Sequence, residues 1–230
     1  MKIIDIENRR DIPILYSFRR CPYAIRARSA IYFSEKIVEI REISLKLKPY
    51  EMTSISKKAT VPVLKAKNFV LEESLDIMFW ALDKSDEYNL LSPFTNNKNY
   101  FYDLVNRFDI EFKYHLDRYK YSSNYYDEKN YLGKYEHREK GKKFLILLNN
   151  LLCNGNYLFN NKLSLLDISI FPLVRQFKIA DPEWFKLDKD ICNVNNWLDS
   201  LLNSIFFKKV MYKYDIWNKS NTKVFFHKES

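Results

Sequence analysis

The spacing of apolar residues changes character partway along the chain. Ile12 to Phe18 is a short apolar run of strand formers behind Asp11. Pro22 to Ser34 follows a helical period, with Ala24, Ala27 and Ile31 on one face. Val38 to Leu45 alternates, apart from one slip in register, and predicts a strand that Pro49 ends. Val61 to Leu64 and Asn68 to Leu71 predict a hairpin turned around Lys65 to Lys67. Ser74 is suited to cap a following helix whose buried face would be Leu75, Met78, Phe79 and Leu82. The predicted order is β-α-β-irregular-β-β-α. Asp86 to Asn99 is polar, contains Pro93 and reads as a linker. Beyond it the period is helical, in segments near 97–121, 128–152, 164–179 and 192–212. The pattern therefore predicts a small α/β domain over 1–85, a linker over 86–98 and an all-helical domain over 99–230.

Composition narrows the class. A chain of 230 residues has room for one or two domains. The net charge of +9 at neutral pH raises nucleic acid or an anionic membrane as partners. Basic residues exceed acidic ones by 15 to 11 in residues 1–83 and by 23 to 18 beyond, so the excess is spread. No basic tail or stripe stands out, and neither partner is expected. Cys21, Cys153 and Cys192 are too few and too widely spaced for a disulfide framework, which suits a reducing, cytoplasmic setting. Met1 to Arg10 lacks the apolar core of a signal peptide, and no run reaches the length of a membrane span. Three scattered histidines with no Cys/His cluster suggest no metal.

Four local arrangements carry candidate chemistry. Cys21 falls just after the first strand, and Pro22 suits the first position of the helix that follows. A thiol there meets free N–H groups and the positive helix end, with Arg19 and Arg20 beside it. Those features favour thiolate and would lower the pKa below the free value of about 8.5. Position alone also permits a small buried cysteine. Val61-Pro62 opens a strand, and a cis bond there would offer the Val61 N–H and C=O to an extended ligand. Glu73-Ser74 stands where a strand gives way to a helix. Free N–H groups and the Ser74 hydroxyl would hold a carboxylate there, and Glu73 an ammonium, although Ser74 could be a plain cap. Ser164 and Asp167 form an Asp variant of the capping box, with Leu163 and Ile168 at staple positions. That box is a folding device, and Pro172 should kink its helix. Cys153 and Cys192 lie in helical segments and read as packing residues.

Together these four elements, in this order and spacing, resemble the glutathione transferase superfamily over residues 15–212. The match is nearest to its cysteine-type members, such as the omega class and similar bacterial proteins. Leu15 to Tyr23 is similar to their strand-to-helix motif, and Cys21-Pro22-Tyr23-Ala24 is similar to the glutaredoxin motif with Ala24 in place of its second cysteine. The family usually has Pro and Gly shortly before its Val-Pro, where this chain has Lys57 and Ala59. The resemblance implies a thioredoxin-like N-terminal domain and a helical-bundle C-terminal domain. It implies glutathione as co-substrate, bound by the Val61 backbone beside Pro62, by Glu73 and Ser74 at the γ-glutamyl end, and by Lys46 or its neighbour Lys48 at the glycyl carboxylate. Tyr23 would line the pocket near sulfur. The electrophile would meet aromatics of the first long helix such as Phe101, Tyr102, Phe108, Phe112 or Tyr119, about half of which are core.

The implied chemistry is monothiol exchange through a mixed disulfide on Cys21. The second substrate would be a glutathionylated thiol, a dehydroascorbate-like oxidant or a glutathionyl adduct. One alternative is conjugation of electrophiles, with Tyr16 or Ser17 activating the glutathione thiol. Another is a non-catalytic binding or regulatory protein on the same fold. A homodimer is implied by the resemblance alone. Ser220 to Ser230 has no counterpart in the family pattern.

Overall fold

The computed structural model describes residues 11–159, 161–220 and 222–227. Met1 to Arg10 and the end of the tail lie outside the described residues. The chain forms two compact units, one of residues 1–88 with 208–230, the other of residues 89–207.

The first unit is built on a five-stranded sheet. Strand β1 (Ile14–Ser17) leads into helix α1 (Pro22–Tyr32), then β2 (Val38–Glu42), a short helix α2 (Tyr50–Thr53), β3 (Val63–Lys65), β4 (Val70–Leu71) and α3 (Ser74–Leu82). The chain returns much later as β5 (Phe225–Phe226), and the strand order is β4-β3-β1-β2-β5. β1 runs parallel to β2, with Leu15 opposite Ile40, and antiparallel to β3, with Leu15 opposite Leu64. Side chains alternate across a strand. Tyr16 and Val63 pack with Ile43, Val61 and Met52 of α2 in one apolar cluster. Helices α1 and α3 pack against each other.

Several boundaries differ from the sequence pattern. α1 stops at Tyr32, two residues early, where Phe33 caps it. β2 stops at Glu42: the Ile43 N–H still reaches the Ser17 carbonyl at 2.8 Å, but Leu45 is exposed and beyond the ladder. The stretch after Pro49, read as irregular, closes a single helical turn with Pro49 at its N-cap. Ser74 is the first residue of α3, and Glu73 holds the capping position, so Ser74 does not serve as the expected N-cap. The buried face of α3 is Ile77, Met78, Ala81 and Leu82, while Leu75 and Phe79 are half-buried. In the loop before Val61, Ala59 stands where the family usually has Gly and adopts φ +50°, the left-handed region that glycine normally supplies.

The second unit is helical. It contains α4 (Ser92–Asn96), α5 (Lys98–Arg107), α6 (Lys113–Lys120), α7 (Lys134–Leu151), α8 (Leu165–Ala180), α9 (Pro182–Leu187), α10 (Cys192–Asn203) and the start of α11 (Ile205–Val210). One wide π-type turn, Phe108–Phe112, joins α5 to α6. α4 lies inside the stretch read as a linker, and α9 was not anticipated. The tail that follows α11 also departs from an all-helical reading of 99–230, because it carries β5 and belongs to the first unit.

α8 is the core helix, buried from Leu165 to Val174 and running through Pro172. Its start is the expected capping box. The Ser164 N–H donates to Asp167 Oδ2 at 2.9 Å and the Ser164 hydroxyl to the same oxygen at 2.6 Å. Asp167 does more than cap: its Oδ1 accepts from the Leu158 N–H at 2.8 Å and from the Trp197 indole N–H at 2.9 Å. Burial pushes the Asp167 carboxyl up to about 6 against these four donors. One of the chain's three glycines has a packing reason. A Cβ on Gly141 of α7 would lie 2.5 Å from the ring of Phe177, which is itself held against Phe112 and Tyr119.

A histidine pair joins α6 to α7. The Leu132 N–H donates to His137 Nε2 at 3.4 Å, which puts the His137 proton on Nδ1. That proton lies toward His115 Nδ1, 2.9 Å away. Two charged rings could not share this contact. Burial, followed by the His137 ring, pulls His115 down to about 4.

Candidate functional site

The site residues of the first unit converge on the start of α1. Cys21 occupies the N-cap of α1 in extended conformation, with Pro22 next. β1 delivers the chain to this point, and the Cys21 N–H closes the turn on the Phe18 carbonyl at 3.0 Å. The sulfur makes no capping hydrogen bond to the helix. Instead Cys21 Sγ donates to the Val61 carbonyl at 3.4 Å. The Val61–Pro62 peptide bond is cis. The two motifs, forty residues apart, therefore meet directly. A carbonyl acceptor suits the protonated thiol; on ionisation the sulfur gives up that bond and keeps the positive end of α1.

The cation most closely tied to this turn is one that the sequence reading passed over. Arg28 lies seven residues after Cys21 on α1, two turns along the same face. It is buried, and its guanidinium donates to the Ser17 hydroxyl, to the Arg19 carbonyl at 2.7 Å and, through Nε, to the Val210 carbonyl at 2.9 Å. Burial lowers Arg28 to about 10, with Glu42 and Cys21 pulling it back up, so it remains charged at neutral pH. Arg19, expected to act through its charge, contributes its backbone N–H to Glu42 Oε1 at 2.6 Å. Arg20 is exposed, its guanidinium 5.7 Å from the Phe18 ring. The signal that would have found Arg28 is its seven-residue spacing from Cys21.

The rival hydroxyls are both buried. Tyr16 is 1% exposed, its hydroxyl accepts from Arg41 at 3.0 Å, and burial raises its pKa. The same guanidinium stacks on Trp217 at 4.2 Å. Ser17 is fully buried and accepts from Arg28.

The remaining predicted residues fall as follows. Tyr23 is half-buried on the first turn of α1, with the Arg26 guanidinium 5.1 Å from its ring. Glu73 is exposed and paired with Lys58, and Ser74 beside it is buried at the α3 N-terminus. The neighbouring Glu72 accepts from the Ser56 hydroxyl at 2.6 Å. Lys46 and Lys48 both stand exposed between β2 and α2, so position does not separate them. Of the aromatics proposed for the electrophile, Phe101, Phe108, Phe112 and Tyr119 are fully buried in the second unit, and only Tyr102 keeps some exposure. Cys153 and Cys192, expected to be packed, are both exposed.

Comparison with known proteins bears on the fold. Residues 15–88 match the family model of the glutathione S-transferase N-terminal domain. No curated protein matches the chain. Among solved structures, glutathione transferase Omega 3C from Trametes versicolor superposes with a TM-score of 0.72 at 18% identity, over 90% of this chain and 86% of that one. A glutathione transferase from Burkholderia graminis, with two glutathione molecules bound per subunit, gives 0.71 at 17%, over 87% of each chain. Glutathione transferase F2 from Populus trichocarpa gives 0.70 at 15%, over 86% of this chain and 97% of that one. Among the described residues no helix is long and apolar enough to cross a membrane. The first unit thus matches the glutathione S-transferase N-terminal domain over residues 15–88, and the chain shares the fold of solved glutathione transferases, a thioredoxin-like unit with a helical one.

Proposed function

We propose that this protein is a cysteine-type glutathione transferase that performs thiol exchange through Cys21. The observation that carries the reading is the Cys21 sulfur, at the α1 N-cap and against the carbonyl of a cis Val61-Pro62 bond. Among the three candidate activators, Cys21 alone is partly exposed, since Tyr16 and Ser17 are buried with hydroxyls bonded to arginines.

In this reading the Cys21 thiolate attacks the glutathionyl sulfur of a mixed disulfide and expels the substrate thiolate. A glutathione thiolate then attacks the same glutathionyl sulfur, which releases Cys21 and leaves as glutathione disulfide. The positive end of α1 and the Arg28 charge favour Cys21 both as attacker and as leaving group. Glutathione would lie along the Val61 backbone as an added strand, with its γ-glutamyl carboxylate at Ser74 and its ammonium taking the place of Lys58 on Glu73. Lys46 is the proposed partner of the glycyl carboxylate and Tyr23 a wall of the pocket. A cytoplasmic homodimer completes the proposal.

The test is the intact mass after incubation with glutathione disulfide, made on a protein carrying Cys153→Ser and Cys192→Ser. The expected result is one glutathione added, removed again by excess glutathione, and absent when Cys21→Ser is included. No adduct with Cys21 present would overturn the proposal.

A further inference from the structure

The second unit holds two more thiols, far from Cys21 in sequence and close to each other in the fold. Cys153 lies in the turn that ends α7, and Cys192 is the first residue of α10. Both are exposed. A single side chain touches both sulfurs: the Asn193 amide N–H donates to Cys153 Sγ at 3.5 Å, and Cys192 Sγ donates to Asn193 Oδ1 at 3.8 Å. The backbone around them is pinned. The Asn193 N–H donates to Asn149 Oδ1 at 2.9 Å, and the Val194 N–H reaches the same oxygen at 3.3 Å. Asn149 lies one helical turn before Cys153, whose thiol donates to the Asn149 carbonyl at 3.3 Å. The end of α7 and the start of α10 are thus held together by one asparagine pair, with a thiol on each side.

We propose that Cys153 and Cys192 form a second redox site, a surface dithiol that closes to an intramolecular disulfide when the pool of low-molecular-weight disulfide rises. Closure requires the Asn193 side chain to leave both sulfurs and the Asn149 carbonyl to which it also donates at 3.4 Å, and both thiols to turn toward each other about their Cα–Cβ bonds. Both cysteines sit at helix ends, where the backbone has room to meet the narrow geometry of a disulfide. The chemistry balances with a disulfide such as glutathione disulfide as oxidant. The thiolate of one cysteine attacks it, forms a mixed disulfide and releases one thiolate. The other cysteine attacks the protein sulfur of that mixed disulfide and expels the second thiolate. The protein loses two electrons and two protons, and the oxidant becomes two thiols. In a reducing compartment such a bond is transient and reports the redox state.

The experiment uses the full chain with Cys21→Ser, so its outcome does not depend on the Cys21 chemistry. After treatment with glutathione disulfide, the intact mass should fall by two hydrogens with no glutathione retained. A non-reducing peptide map should join the peptides of Cys153 and Cys192, at a rate independent of protein concentration. Reductant should restore two alkylatable thiols. Adding Cys192→Ser or Cys153→Ser should leave one glutathione trapped on the remaining cysteine. Two stable glutathione adducts, two thiols still alkylatable after treatment, or a disulfide between chains would overturn the proposal.

Discussion

The Arg41 guanidinium donates to the buried Tyr16 hydroxyl at 3.0 Å while its face covers Trp217. Tyr16 is 1% exposed, so its hydroxyl is covered on the sheet and not open to a bound thiol. Tyr16→Phe should therefore leave exchange within a factor of about three and cost about 1 kcal/mol of stability. Ser17→Ala should also keep activity but destabilise by about 1–3 kcal/mol, because it removes an acceptor from buried Arg28. Cys21→Ser should lower exchange by about a thousandfold or more. Steady-state rates with a glutathionylated peptide, read beside urea unfolding, separate the three; a large loss in Tyr16→Phe would return the chemistry to the hydroxyl.

Ala59 holds a backbone conformation that costs an L-residue about 1–2 kcal/mol. Ala59→Gly should relieve it and offset part of the gain by loosening the unfolded chain. A net rise of a few tenths to about 1 kcal/mol in unfolding free energy is expected. Ala59→Val should move the urea midpoint the other way.

Asp167 is the hub of four donors in the second unit. Asp167→Ala would leave them buried without an acceptor and should cost about 3–5 kcal/mol. The effect of pH has a definite sign. The carboxyl titrates near 6 in the native protein and near 4 unfolded, so the native state holds the extra proton between those values. Its contribution to stability is present below about pH 4 and is lost as pH rises through 6. Urea midpoints of wild type and Asp167→Asn should thus draw apart as pH falls from 7 to 4.

The histidine pair works in the opposite direction. Native His115 resists protonation until about pH 4, whereas the unfolded side chain takes a proton near 6.5. Stability should fall across that interval as acid is added. His115→Gln should flatten the acid limb of a thermal melt; an unchanged limb would mean that another group controls acid unfolding.

Gly141→Ala adds a helix-favouring methyl group but drives it into the Phe177 ring. Since Phe177 is braced by Phe112 and Tyr119, the ring has nowhere to go, and a loss of about 1–3 kcal/mol is expected. Calorimetry of the variant checks this, and Gly141→Ala with Phe177→Leu should recover much of the loss.

What could be read from the sequence was local. Cys21-Pro22, Val61-Pro62 and the Ser164–Asp167 box each depend on neighbours within a few residues, and all three form as expected. Contacts made across long separations were hidden. Nothing near Phe225-Phe226 announces that it pairs with Val38-Glu39. Nothing near Arg28 announces an acceptor at Val210. Two-residue strands have no measurable period, and a buried arginine looks like a surface one until its acceptors are known. The exposure of Cys153 and Cys192 was missed because a cysteine in an apolar helical pattern is more often covered.

The pairing of β2 with β5 has a consequence for biosynthesis. A ribosome releases Asp11 to Leu82 early, with every motif of the Cys21 site, yet the outer edge of β2 stays open until Phe225 and Phe226 emerge. Trp217 and Lys219, which bond to Glu42 and Glu51, arrive only shortly before. For most of translation the nascent sheet presents unpaired N–H and C=O groups to any passing strand. The whole helical segment is therefore synthesised while that edge of the sheet still lacks its partner.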